Sequence, residues 1–176
     1  MSIGTVKRVM EQVLITDKHN YGKVTAMSEE HYYYILVERE KWWNSRHDKN
    51  RKGGNTQVFV RRGRVGPKEA QKLLFYVKLP IGEIRGYGDF LERITGTADE
   101  LWNSYGSETV FESRDQYDSF IEGRSKVTFI QFKNLQELEK PVCWKDLSVA
   151  LGIKKMPNGG RYLSKETVNS ILKMEL

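Results

Sequence analysis

Hydrophobic and polar positions alternate in several blocks along this chain of 176 residues. Thr56 to Arg62 is the plainest strand: Val58 and Val60 point one way, and Gln57, Phe59 and Arg61 the other. Leu73 to Leu79 (LLFYVKL) predicts a second strand, stopped by Pro80, and Lys126 to Phe132 (KVTFIQF) a third. Ile81 to Thr95 alternates well enough to be one long strand. Gly86 and Gly88 within it predict a bulge, a bend or a close backbone approach. Lys7 to Thr16 starts polar and becomes continuously apolar, as a strand buried on both faces does.

Helix signals fall between these blocks. Ser28 followed by Glu29 and Glu30 marks a helix start. It predicts a helix from Glu29 to about Arg39, against the pull of the aromatic and branched residues Tyr32 to Val37 toward strand. After Trp42 and Trp43 the run SRHDKNRKGGN reads as a polar, mobile loop that turns at Gly53, Gly54 and Asn55. Lys68 to Lys72 has room for one helical turn. Thr97 to Glu100 and Ser113 to Gln116 are both capping boxes. The first opens a helix from Ala98 to about Tyr105. The second opens one carrying Tyr117, Phe120 and Ile121 on a single face and ending at Gly123. Asp146 to Leu151 is helical up to Gly152, and Ser164 caps a last helix to about Lys173.

Strands and helices do not alternate regularly, so a doubly wound parallel sheet fits poorly. The order predicts an α+β fold: a mixed β-barrel of about five to seven strands decorated by short helices. One domain over 1–176 is expected, with 142–176 a C-terminal helical extension packed on the barrel.

Charge changes the picture. The chain has 29 Lys or Arg, 23 Asp or Glu and a net charge of +6. Between Lys41 and Lys72, ten cations face only Asp48 and Glu69, a local surplus of eight. The rest of the chain is therefore slightly acidic. Clustered cations repel unless something anionic uses them. Two adjacent tryptophans open the stretch, and Arg or Lys with an exposed ring suits phosphate with an unstacked base. The candidate nucleic-acid-binding residues are Lys41, Trp42, Trp43, Asn44, Arg46, Arg51, Lys52, Arg61, Arg62, Arg64 and Tyr87. Neighbours on a helix lie about 100° apart, so one tryptophan can face the core while the other faces out. Either ring can equally be a core anchor, and the arginines can equally be a solvated strand end. Lys154, Lys155 and Arg161 around Gly159-Gly160 add to the basic balance.

Other chemistry is thinly represented. Gly86-Tyr87-Gly88 is not a dinucleotide loop, because the third glycine position holds Leu91, and no phosphate-loop GxxxxGK[ST] occurs. Cys143 is the single cysteine, so no internal disulfide forms, and a reducing cytoplasm is the expected compartment. His19, His31 and His47 lack zinc-site spacing. No cofactor or metal is expected. No apolar run reaches the roughly 20 residues of a membrane helix.

The strand VFVRR, the run KLLFYVKLPIGEIRGYGDFLERITGTADELW, the helix DQYDSFIEG, the strand KVTFIQF and the segment NLQELEKPV together resemble the PUA-like superfamily. That group holds the small β-barrels of PUA, ASCH and EVE domains. KWWNSR, FYV, GYGDFLER, ELWNSYG and GGRYLS make the chain most similar to an uncharacterised archaeal family within it. The resemblance spans about Tyr32 to Leu172. It implies nucleic-acid binding, RNA favoured over DNA, with a modified or flipped base held in a pocket. Two alternatives stand beside this, the first implied by the resemblance and the second by the basic face alone. One is a small amidohydrolase-like enzyme acting on a modified nucleoside, for which the matched strands offer Lys72, Lys78, Glu83 and Thr95 as candidates although none has a spacing that demands catalysis. The other is a protein-interaction module with a basic face.

Overall fold

In the computed structural model the described residues are 29–167. The strand expected at Lys7 to Thr16, and the last helix beyond 167, lie outside them. Six strands form one sheet: β1 (Tyr33–Glu38), β2 (Thr56–Arg61), β3 (Lys72–Val77), β4 (Glu83–Thr97), β5 (Lys126–Cys143) and β6 (Arg161–Leu163). Their order in space is β2-β5-β4-β3-β1-β6. Among the described residues only β1 and β3 run parallel, and the remaining pairs are antiparallel. Helix α1 (Glu40–Arg51) joins β1 to β2. Helices α2 (Ala98–Tyr105) and α3 (Arg114–Ile121) join β4 to β5, and α4 (Trp144–Leu151) follows β5.

The expected α+β class holds, and among the described residues the strands number six, within the expected range, in a sheet that does not close into a barrel. Among the described residues no ladder joins edge strand β2 to edge strand β6. Side chains bridge that seam instead. Arg61 of β2 donates to the carbonyls of Asn158 and Gly159, both at 3.1 Å, on the segment leading into β6. The amide of Lys68 donates to the Tyr162 hydroxyl at 2.9 Å. Gly160 is indispensable beside this seam. It takes φ +78°, and a Cβ there would lie 1.9 Å from the Ile35 carbonyl oxygen.

Alternate residues of the strands feed different cores, which explains their near-continuous apolar sequences. Leu36, Trp43, Phe59, Phe75, Ile130 and Phe132 fill the concave interior. Ile35, Val37, Tyr76 and Val142 pack outward beneath α4. Val58, Val60, Leu101, Tyr117 and Phe129 pack beneath α2 and α3.

The first helix is the main correction. Glu29–His31 makes only a single 3-10 turn, and Tyr33–Glu38 is strand β1, not helix. Every β1 residue is buried, so the segment shows neither clean period. Conversely, the supposed mobile loop after the tryptophans is α1. Its inner face consists of Trp43, Arg46 and Asn50, at i, i+3 and i+7. Trp43 is 3% exposed and Arg46 1%. The Asn50 amide donates to the Leu135 carbonyl at 3.1 Å. Lys49 reaches the carbonyls of Ser107 and Thr109. A helix whose inward face is largely polar does not look amphipathic in sequence. Lys68 to Lys72, expected to form a helical turn, is bent chain leading into β3. The short strand Arg161–Leu163 follows Gly160, in a segment read from sequence for its basic residues.

The two capping boxes fold as read. The Thr97 hydroxyl oxygen accepts the Glu100 amide at 3.2 Å, and Ser113 accepts that of Gln116 at 3.2 Å. The β4–β5 ladder shifts register between Ile84 and Gly86 and between Tyr87 and Asp89. Gly86 is where Trp43 meets the sheet. A Cβ there would sit 2.5 Å from Trp43 Cη2 and 2.7 Å from the Gln136 carbonyl oxygen. Gly86→Ala is expected to lower stability by about 1–3 kcal/mol through overpacking. Urea unfolding checks this; an unchanged midpoint would mean that Trp43 does not press on the strand.

Candidate functional site

The parallel strands β1 and β3 end side by side, with Glu38 opposite Val77 and the Lys78 amide donating to the Glu38 carbonyl at 2.9 Å. The residues that follow these two ends, Arg39 and Lys78, therefore leave the sheet together. The end of β2 and the segment before β6 face them across the seam. Between these parts and the helices α1 and α3 lies a cleft of about 970 Å³. That size is at the upper end for a small-molecule pocket.

Its floor is a buried ion pair. Arg46 Nε and Nη2 donate to the two Glu38 carboxylate oxygens at 3.2 and 3.1 Å. Both side chains are at most 3% exposed. The guanidinium lies near the rings of Phe59, Phe75 and Phe132, and the Arg46 carbonyl oxygen accepts from Gln57 at 3.2 Å. The charges on the floor thus satisfy each other.

One wall is aromatic. Trp42 is half-buried and meets Phe111 edge-on at 5.0 Å and Phe120 at 6.1 Å. Lys41 Nζ lies 4.3 Å from the Trp42 ring. The rim is cationic. Arg39, Lys41, Lys78 and Arg124 all line the cleft and form no ion pair among the described residues. Arg62 is paired with Glu122 at 2.9 Å over the face of Phe120. Arg61 lies over Phe59 and is fixed by the two carbonyls of the seam. Burial lowers its pKa, with Tyr34 and Glu38 opposing the fall. Burial also lowers the pKa of Lys78, and the positive charges of Arg39, Arg61 and Lys155 push it the same way. Burial raises the pKa of Tyr34, whose hydroxyl donates to the Gly159 carbonyl at 2.6 Å.

Of the candidate residues read from sequence, the cleft brings together Lys41, Trp42, Arg46, Arg61 and Arg62. Trp43 and Tyr87 instead belong to the packed cores. Asn44, Arg51, Lys52 and Arg64 are exposed and do not line the cleft. Arg39, Lys78 and Arg124 line it without having been read as nucleic-acid contacts. They come from distant segments, and only the meeting of strand ends shows them together. The four possible hydrolase residues are dispersed. Lys72 pairs with Asp89 at 2.7 Å and Glu83 with Arg85 at 3.1 Å, Thr95 is exposed on β4, and only Lys78 reaches the cleft.

The fold is similar to that of a solved ASCH protein. The crystal structure of ASCH from Zymomonas mobilis superposes with a TM-score of 0.67 at 20% identity, covering 84% of this chain and 96% of that one. A single-residue variant of that protein gives 0.66 at 20% identity, covering 82% and 97%. At this identity the likeness is one of fold. The ATP synthase subunit alpha of Ureaplasma parvum is 29% identical over 101 residues, which are 57% of this chain and 12% of that protein. No family model matches the sequence. Among the described residues no helix is long and apolar enough to cross a membrane.

Proposed function

We propose that this protein binds nucleic acid in the seam cleft, as a single strand or an unstacked base, with RNA favoured over DNA. The observation that carries this reading is the pairing of a half-buried aromatic wall with four cations that form no ion pair among the described residues. Glu38 and Asp115 line the same cleft: Arg46 occupies both oxygens of Glu38, and exposed Asp115 leaves the four cations in excess. A base stacked on an aromatic side chain is worth about 1–3 kcal/mol, and the cations supply the contacts to phosphate. The preference for RNA rests on the sequence resemblance alone.

The test is binding of labelled single-stranded RNA, duplex RNA and duplex DNA, plain and base-modified, at about 50 and about 200 mM salt. Single-stranded RNA is expected to bind best. Four phosphate contacts should weaken its binding about fiftyfold between those salt concentrations, at a slope of roughly 0.7 for each phosphate in a single strand. Absence of binding to every polymer would overturn the proposal and point to an acidic protein partner.

A further inference from the structure

Resting on that reading, we infer that the cleft holds a subsite for a terminal phosphate, so that the protein recognises a phosphorylated end of the strand. Three strand ends build it: Arg39 after β1, Lys78 after β3 and Arg61 at the end of β2. The first two are held together by the backbone hydrogen bond between Lys78 and Glu38. The third is fixed across the seam by two carbonyls, and its buried Nε has no hydrogen-bond partner among the described residues. The hydrogen-bond acceptors of Arg61 are therefore neutral carbonyls, its one nearby carboxylate, Glu38, already has both oxygens held by Arg46, and neither Arg39 nor Lys78 is paired with a carboxylate among the described residues. The lowered Lys78 pKa reflects, after burial, the positive charges of Arg39, Arg61 and Lys155. Such convergence destabilises the empty site and is relieved by an anion.

The anion that fits is a monoester. An internal phosphodiester carries one negative charge. A terminal phosphate carries about −1.5 to −2 at neutral pH and three acceptor oxygens. Three converging cations match the second better. The wall formed by Trp42, Phe111 and Phe120 lies in the same cleft, and a base stacks on Trp42 once the flexible Lys41 side chain moves off the ring.

The test compares one short single-stranded RNA with a 5′-phosphate, with a 3′-phosphate, and with hydroxyls at both ends, bound to the full chain and to Lys78→Gln. One phosphorylated end is expected to bind roughly tenfold or more tightly than the hydroxyl form, as one added charged hydrogen bond allows. Which end does so identifies the source of the phosphate. Lys78→Gln should remove most of that advantage while keeping or raising the melting temperature, since it removes a repelled charge. Equal, measurable binding of all three RNAs would overturn the subsite and leave the nucleic-acid reading standing. Absence of binding to any would overturn both. An advantage that survives in the Arg39→Gln/Lys78→Gln double variant would also overturn the subsite.

Discussion

Arg46→Ala is expected to cost about 3–5 kcal/mol of stability, because it leaves the Glu38 carboxylate buried without its partner. In a chain of this size each kcal/mol moves the melting temperature by roughly 2–4 °C, so a fall on the order of 10 °C should be seen. The geometry explains the size of the effect. Arg46 holds both Glu38 oxygens, contributes hydrogen bonds toward Gln57 and Val58, and lies against three phenylalanine rings. Removing it empties the anchor between α1 and the sheet. The double variant Glu38→Leu/Arg46→Met should lose much less, since replacing both charges by apolar groups is often near neutral. Thermal and urea unfolding of the two variants decide the matter. A loss under about 1 kcal/mol in Arg46→Ala would mean that the pair is not buried as described.

The triple variant Arg39→Glu/Lys41→Glu/Arg124→Glu is expected to weaken single-stranded nucleic-acid binding on the order of a thousandfold, at roughly 1.5 kcal/mol for each charged hydrogen bond removed. It should also flatten the logarithmic salt slope by about 2, from roughly 0.7 for each phosphate no longer neutralised. All three side chains are exposed. Glutamate at positions 39 and 41 lies at the start of α1, where negative charge is tolerated or favoured, so folding should be preserved. The matched control is Arg51→Glu/Lys52→Glu/Arg64→Glu, which makes the same change in charge away from the cleft. Equal losses in the two variants would show that net charge, and not the cleft, governs binding.

How far the sequence could be read depended on the range of the forces involved. The capping boxes at Thr97 and Ser113 are local bonds between a side chain and an amide three residues on, and both helices start where those residues place them. The break at Gly86 was legible too, because only a residue without a Cβ admits Trp43 against the strand. β1 failed as a sequence reading because Ser28-Glu29-Glu30 is a genuine start signal that yields only a 3-10 turn. Burial on both faces of Tyr33–Glu38 then overrode it. α1 failed for the opposite reason: it is anchored by Trp43, Arg46, Lys49 and Asn50, of which only one is apolar. The polar anchors work because their partners come from Glu38, Leu135 and the 107–109 segment.

The same contrast runs through the site. The basic stretch pointed to Lys41, Trp42, Arg61 and Arg62, because charge and aromatic residues are visible locally. The angular offset of neighbours on a helix allowed Trp42 and Trp43 to separate, and they do: Trp43 is in the interior and Trp42 on the cleft wall. Lys78 and Arg124 had no such signal. They reach the cleft only because parallel β1 and β3 end together and α3 packs beside β2. Arg51, Lys52 and Arg64 belong to the same charged stretch, yet the helix and the glycine turn carry them elsewhere.

If the cleft, and not the basic stretch as a whole, holds the nucleic acid, ultraviolet crosslinking shows it most directly. A single-stranded RNA is crosslinked to the full chain, and the modified peptides are mapped. Crosslinks are expected at Trp42 and at the Phe111–Phe120 wall. Crosslinks confined to the peptides carrying Arg51, Lys52 and Arg64, with none on the cleft wall, would contradict this.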